Sequence, residues 1–413
     1  AGGRGRMSFL QEFAELSAIG ATPGGGVERQ AGTAADGEAR RWLVQRLTAA
    51  GLAVDVDAVG NVFGRAELVP GAPHVLVGSH LDSQPRAGRF DGAYGVLAAV
   101  HAARHVLAEV AAGRLRPRFN LAVVDWFNEE GSRFQPSLMG SGAYTGALQV
   151  EQVLAARDLE GTSVAQALEG IGFRGSAEPP AAVAYAELHI EQGRALERLG
   201  ADVGLVEGGW AARKLEVVVH GVQGHTGATA MADRHDALAT AARLVCLARD
   251  LVDEFPDGAL LTAVGRMTVL PNSPVVVARE VRLSLDVRSA DPDLLERAHA
   301  LLLERFAAAA ERGAVEVEVV RSSLRPAARL PAAGVDLAEV VAKEAGASTH
   351  RMLTMAGHDA IALDALVPTV LLFVPSVEGV SHDERELTRD EDLERGVDVL
   401  ARLLARLVAG DLG

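Results

Sequence analysis

A single cysteine, Cys246, stands in 413 residues. That excludes an intramolecular disulfide and any metal site built from several thiolates. It falls in the Ala/Leu-rich stretch Leu238 to Leu251, where a small buried packing residue is expected rather than a nucleophile. Lysine is almost as scarce, with only Lys214 and Lys343. Schiff-base chemistry is a poor fit, and an anionic substrate group is expected to meet arginine, whose planar fork suits a carboxylate. Positive charge is in deficit too. A net charge of −15 argues against nucleic acid or an anionic membrane as partner. No apolar run reaches the roughly 18 to 20 residues of a membrane span. The opening AGGRGRMSF lacks the apolar core of a secretory signal, Met7 reads as a natural start, and a cytoplasmic protein is expected. There is no G-x-S-x-G for serine hydrolysis and no G-x-x-x-x-G-K-[ST] for nucleotide phosphates.

What is present is a chain too long for one ordinary core, so two domains are the default. Helices are expected over residues 8–20 and 36–50, with a strand pair over Val54 to Glu67. Val75 to Ser79 is a buried strand leading into His80. Asp82 follows, then a loop rich in Gly, Pro and Arg, then Asp91 and Gly92 at the head of an apolar helix from about Ala93 to Ala112. Asn120 to Phe127 and Tyr185 to Ile190 are further apolar strands. The first ends in Asn128-Glu129-Glu130 and the second carries His189 near its end. The texture changes near Val206. From there Leu215 to His220, Leu260 to Leu270, Val275 to Arg288 and Val315 to Arg321 read as strands. Asp236 to Glu254 and Pro292 to Arg312 read as helices, giving an α+β unit with both helices on one face. Ser323 to Pro331 reads as an exit linker, followed by a short helix, the strand Thr369 to Val374 and a terminal amphipathic helix. The expected division is 1–206 and 326–413 as one catalytic domain, with 207–325 inserted.

His80, Asp91, Glu130, His189 and His382 all stand at strand ends, helix starts or just beyond them. Open α/β sheets place their sites there, and a mixed His/carboxylate set suits Zn, Mn, Co or Ni. Five ligand-type residues exceed one tetrahedral site. A carboxylate able to bridge makes a pair of cations the natural fit, since two cations about 3.5 to 4 Å apart can share a water. Adjacent residues on an extended segment point different ways, so Glu130 can ligate while Glu129 faces the water as general base. His101, His105 and Glu109 share one helix face, but Ala102 stands where H-e-x-x-H chemistry needs Glu. A solvated face is expected there.

GSHLDSQPRAGRFDGAYGVLAA, WFNEEGSRF, ELHIEQG, GHTGATAM, MAGHDA and FVPSVEGVSH occur in that order. In this the sequence resembles the hydantoinase/carbamoylase family of metal-dependent amidohydrolases, related to the aminoacylase and carboxypeptidase type of di-metal peptidase. The resemblance spans almost the whole chain. It implies a mixed-sheet di-metal peptidase-like catalytic domain with an inserted ferredoxin-like domain that acts as lid and dimer interface, hence a homodimer. It also implies two divalent ions, one held by His80 with His189 and the other by Glu130 with His382, with Asp91 bridging. Glu129 would be the base and Asp82 would orient His80 from behind. His225 would stabilise the oxyanion, Gln192 would contact the ureido or amide group, and Arg288 would take the substrate carboxylate. Asn272, Gly357 and His358 would complete the substrate contacts. Two stretches depart from the family pattern. In PNSPVVVARE, Val275 stands where a substrate-binding Asn is usual and Ala278-Arg279 replace Pro-Gly, and HTGATAM stands where the family usually has H-A-G-T-T-P-M. The implied reaction is hydrolysis of a carbamoyl C–N bond in an N-carbamoyl amino acid or related ureido acid. Two rival readings are an N-acyl amino acid or dipeptide hydrolase on the same metals, and a catalytically silent ligand-binding dimer.

Overall fold

A computed structural model describes residues 7–412; the six residues before Met7, read above as preceding a natural start, lie outside the described residues. The chain divides into two compact units, residues 1–207 with 330–413 and the inserted residues 208–329.

The first unit is built on a mixed sheet. Its strands are β1 (Ala53–Val56), β2 (Val62–Ala66), β3 (His74–His80), β4 (Asn120–Trp126), β5 (Ala182–Ile190), β6 (Val203–Gly209), β7 (Thr349–Thr354) and β8 (Thr369–Val374). They run in the order β1-β2-β4-β3-β5-β8-β6, with β7 also on β6. The four central strands β4, β3, β5 and β8 are parallel to one another. Strands of this kind are covered on both faces, which is why β3 and β4 have apolar middles, Val75–Val77 and Leu121–Val124, and are buried at every residue. From β3 the chain crosses through the helix Ala93–Ala111 to β4 on one side, and later reaches β5 on the other. The C-terminal end of β3 is thus a switch point of the sheet, the place where open α/β sheets bind their ligands. His80 is the last residue of β3. Neither β6 nor β7 was expected from the sequence. Val203–Gly209 is broken by glycines, and Thr349–Thr354 is half exposed, so neither gives a clean strand pattern.

The inserted unit has a four-stranded antiparallel sheet in the order Glu316–Arg325, Ala211–His220, Glu280–Ser289, Leu261–Leu270. Alternate residues of its inner strands are buried, Leu215, Val217 and Val219 on one and Val281, Leu283, Leu285 and Val287 on the next. They pack with Ala241 and Leu244 of the helix Ala237–Asp250 and Leu302 and Phe306 of Pro292–Gly313. The strand expected to run unbroken from Val275 is interrupted. Val276–Val277 pairs with Gly224–His225, and the main sheet resumes at Glu280. The break falls at Ala278-Arg279, where Arg279 donates to Leu270 O and accepts from Gly221 N. The expected linker is partly strand, since pairing continues to Arg325.

Two further expectations are corrected. Cys246 is exposed, because the buried stripe of its helix runs through Ala237, Thr240, Ala241, Leu244 and Ala248 and leaves position 246 on the outer face. His101 does not sit on a solvated face. Its ring lies edge-on to Phe9, and its Nε2 is 2.6 Å from Glu12 Oε2, which Arg104 Nη1 also reaches at 2.6 Å. Burial disfavours charge on Glu12, but these two partners outweigh it and hold the carboxyl at about 2 rather than 4.5. A depressed carboxylate stabilises the fold fully above its ordinary range and loses that contribution as pH falls through its folded value. Glu12→Gln is therefore expected to cost about 3 kcal/mol at pH 7 by leaving the Arg104 charge buried without its partner. Urea unfolding at a series of pH values should show the gap to wild type closing between about 4.5 and 2; a gap independent of pH would contradict the assignment.

Candidate metal centre

The ligand-type residues converge at the C-terminal ends of the parallel strands. His80 ends β3, Glu129 and Glu130 follow β4, His189 lies near the end of β5, and His382 lies beyond β8. Asp91 precedes the helix Ala93–Ala111. Its Oδ1 is 3.1 Å from His189 Nε2 and 3.5 Å from His80 Nε2. Its Oδ2 is 3.3 Å from His382 Nε2, and that nitrogen is 3.3 Å from Glu130 Oε2. Two groups result, His80/Asp91/His189 and Asp91/Glu130/His382, each with its ligand atoms within 4.8 Å of one another. One carboxylate belongs to both, an oxygen to each.

The backbone prepares these side chains. Asn128 has a positive φ of 52°, which Asn tolerates well, and its Nδ2 donates to Phe134 O and Pro136 O. That bend turns the chain so that the amides of Glu129 and Glu130 donate to the two oxygens of Asp82, at 3.1 and 3.3 Å. The neighbouring carboxylates then diverge, Glu129 Oε2 to within 3.6 Å of His80 Nε2 and Glu130 towards His382. Gly92 has φ +63°, and a Cβ there would come within 2.4 Å of the His80 ring. Behind the loop after His80, Asp125 Oδ1 accepts from Leu81 N, while buried Arg40 bridges Asp36 and Asp125 at 2.9 and 3.1 Å.

The residues fit divalent cations. His80 Nδ1 is 2.9 Å from Asp82 O and His189 Nδ1 is 2.9 Å from Ile190 O. A carbonyl only accepts, so both Nδ1 atoms carry hydrogen, and Nε2 is the nitrogen each ring turns towards Asp91 and would give to a metal. This is the tautomer a metal-binding imidazole uses. Burial opposes charge on His80, His189 and His382, yet the facing carboxylates outweigh it and push all three upward. The centre of the cluster therefore favours positive charge. Glu130 Oε1 is buried and has no hydrogen-bond partner, a costly state that coordination would relieve. Burial, together with Asp359, Glu130 and Asp91, lifts the Glu129 carboxyl well above the ordinary range, and His80 only partly opposes this.

Of the proposed substrate contacts, Gln192 and His358 lie beside this cluster. Gln192 Nε2 donates to Asp91 Oδ2 at 2.6 Å, and the His358 ring packs edge-on against His189 with centroids 4.6 Å apart. Gly357 precedes His358 in the same loop. His225, Asn272 and Arg288 belong to the inserted unit. There His225 is exposed, and its Nδ1 accepts from Gly227 N at 3.0 Å, so the neutral ring carries its hydrogen on Nε2. Asn272 is exposed with φ +56°. Asp286 grips Arg288 through Nε and Nη2 at 2.9 and 2.8 Å.

Three partners of the cluster were not read from the sequence. Gln84 Nε2 donates to Glu130 Oε2 at 2.9 Å. Ser381 Oγ lies 3.2 Å from Asp91 Oδ2, and Glu386 accepts the Asp91 amide. Gln84 sits in the loop after Asp82, and Ser381 and Glu386 flank His382 in a charged run that reads as solvated surface.

A mixed sheet with this twin His/carboxylate cluster and an inserted α+β unit defines a di-metal peptidase-like hydrolase. The chain belongs to peptidase family M20/M25/M40, whose model matches residues 76–406, in its hydantoinase/carbamoylase branch. A Mycolicibacterium smegmatis protein described only as a hydrolase is 54% identical over 99% of this chain and 94% of its own length. Allantoate amidohydrolase of Bacillus subtilis is 36% identical over 95% of each chain. N-carbamoyl-L-amino-acid amidohydrolase of Rhizobium meliloti is 34% identical over 94% of this chain and 92% of its own. The crystal structure of a hydantoinase/carbamoylase family amidase from Burkholderia vietnamiensis superposes with a TM-score of 0.93 at 35% identity, covering 98% of this chain and 97% of that one. The protein is thus an enzyme of this superfamily with a candidate catalytic metal site. Among the described residues, no helix is long and apolar enough to cross a membrane.

Proposed function

We propose that the protein hydrolyses the carbamoyl C–N bond of an N-carbamoyl amino acid or a closely related ureido acid, releasing the amino acid, CO2 and ammonia. The observation that carries this is a buried glutamate, Glu129, set beside two ligand clusters that share Asp91. His80, His189 and Asp91 would hold one divalent ion, and Asp91, Glu130 and His382 the other. Bound there, the pair would supply Lewis-acid polarisation of the carbonyl and lower the pKa of an attacking water.

Glu129 accepts the proton of that water and delivers it to the departing nitrogen, so one carboxylate acts as base and then acid. His225 Nε2–H is the donor for the developing oxyanion. Arg288, held flat by Asp286, pairs with the substrate carboxylate. Gln192, with Asn272, Gly357 and His358, orients the ureido group and its flanks. The relatives named for allantoate and for N-carbamoyl amino acids support a ureido substrate of one kind or the other.

Arg288→Ala is expected to raise KM by roughly 10²-fold, the loss of a charge-assisted pair worth about 2 to 3 kcal/mol, with a smaller change in kcat. An unchanged KM for carboxylate-bearing substrates contradicts its role. Assaying N-carbamoyl amino acids, allantoate, N-formyl and N-acetyl amino acids and a dipeptide side by side tests the bond. Fastest turnover with ammonia release is expected from the carbamoyl or ureido compounds. Preference for N-acetyl amino acids or the dipeptide would establish the rival hydrolase instead, and no turnover of any of them the silent dimer. The same reading holds the chain to be a cytoplasmic homodimer joined through the inserted unit, where Leu261 and Met267 are exposed on an edge strand; light scattering on the purified protein checks the dimer.

A further inference from the structure

Glu386 is 4% exposed and follows His382 by four residues. Its Oε1 accepts the amides of both Phe90 and Asp91, at 3.0 and 3.1 Å, while its Oε2 accepts from Ser381 Oγ at 3.0 Å. Ser381 Oγ also stands 3.2 Å from Asp91 Oδ2. One carboxylate therefore joins two segments nearly three hundred residues apart, the turn that presents Asp91 and the loop that presents His382. Room is made for it at Gly88, where a Cβ would lie 2.1 to 2.3 Å from the Glu386 side chain.

We propose that Glu386 is a positioning residue, a latch that keeps the shared Asp91 carboxylate in register with His382. The inference rests on the reading of Asp91 as a ligand common to two cations. The two clusters depend on the latch unequally. His80 and His189 are fully buried at the ends of β3 and β5, and the sheet ladder fixes them whatever happens at residue 386. His382 is about half exposed in its side chain and sits on an irregular loop with φ +57°. It meets Asp91 Oδ2, the oxygen on the Ser381 side. Release of the latch frees the Asp91 turn and the His382 loop from each other, and the Asp91/Glu130/His382 site loosens first.

The test is calorimetric titration of the metal-free, full-length protein with Mn²⁺, with apo melting temperatures measured in parallel. Wild type is expected to take up two ions. Glu386→Ala should keep the first affinity and weaken the second roughly 10- to 100-fold, the usual range for residues supporting metal ligands. Glu386→Gln should restore the second site, because its amide oxygen accepts the same two N–H groups and its NH2 donates to Ser381. At two equivalents, the electron paramagnetic resonance of Glu386→Ala should change from a spin-coupled pair to a single bound ion plus free Mn²⁺. If the alanine variant does not fold, Glu386→Asp carries the same expectation, since it keeps the charge but is one methylene short of the Phe90 and Asp91 amides. Two wild-type affinities in a folded Ala or Asp variant overturn the proposal, as does equal weakening of both sites. Fewer than two ions on the wild type would instead sink the shared-ligand reading beneath it.

Discussion

Glu129→Gln is expected to lower kcat by roughly 10²- to 10⁴-fold, the usual contribution of a general base and acid, while KM and the bound metal change little. Glutamine matches the shape of the glutamate and can fill the same space 3.6 Å from His80 Nε2, but it cannot take a proton. The substitution also removes a carboxyl that burial and the neighbouring acids Asp359, Glu130 and Asp91 hold well above its ordinary range. The folded apoprotein should therefore be no less stable than wild type. Steady-state kinetics, metal analysis and a melting curve on one preparation check all three statements. An active Gln variant would show that the base lies elsewhere, and a variant that loses its metal would make Glu129 a ligand.

The second large effect concerns Asp91. Exhaustive chelation should abolish activity, and Mn²⁺, Co²⁺ or Zn²⁺ should restore it. Asp91→Ala should do the same irreversibly, because one side chain serves both clusters. The expected loss is at least roughly 10³-fold, equivalent to about 4 kcal/mol of lost charge stabilisation. Glu130→Ala removes a ligand of only one cluster, so this variant should still bind one ion. Equal metal content in the Asp91 and Glu130 variants would argue against a shared carboxylate.

How much of this is legible in the sequence depends on what carries each residue. His80, Glu130 and His189 were readable because each stands at or just past the end of a buried strand, and parallel strands advertise themselves as unbroken apolar runs. Asp91 was readable from the apolar helix it precedes. The inserted unit was readable from its strand and helix periods. Less legible were features that depend on partners distant in sequence. Glu386 lies among Asp383, Glu384 and Arg385, and nothing in that run says that one of these acids turns inward to meet the Phe90 and Asp91 amides. His101 sits on an apparently amphipathic face, and only the packing of the first helix beneath it supplies Glu12 and Phe9. The exposure of Cys246 is not legible, because an Ala/Leu-rich helix offers no sharp polar face from which to tell inside from outside. The strand break after Val277, where Val276–Val277 leaves the main sheet to pair with Gly224–His225, is announced by no local pattern.

On the proposed reading, two cations are gripped from five separate points of the chain with Asp91 between them. Diffraction from crystals grown with Mn²⁺ or Zn²⁺, recorded at the metal's absorption edge, tests it most directly. Two anomalous peaks are expected, about 3.5 to 4 Å apart, one bonded to His80, His189 and Asp91, the other to Asp91, Glu130 and His382. A single peak at full loading, or a pair with Asp91 bonded to only one of them, would contradict it.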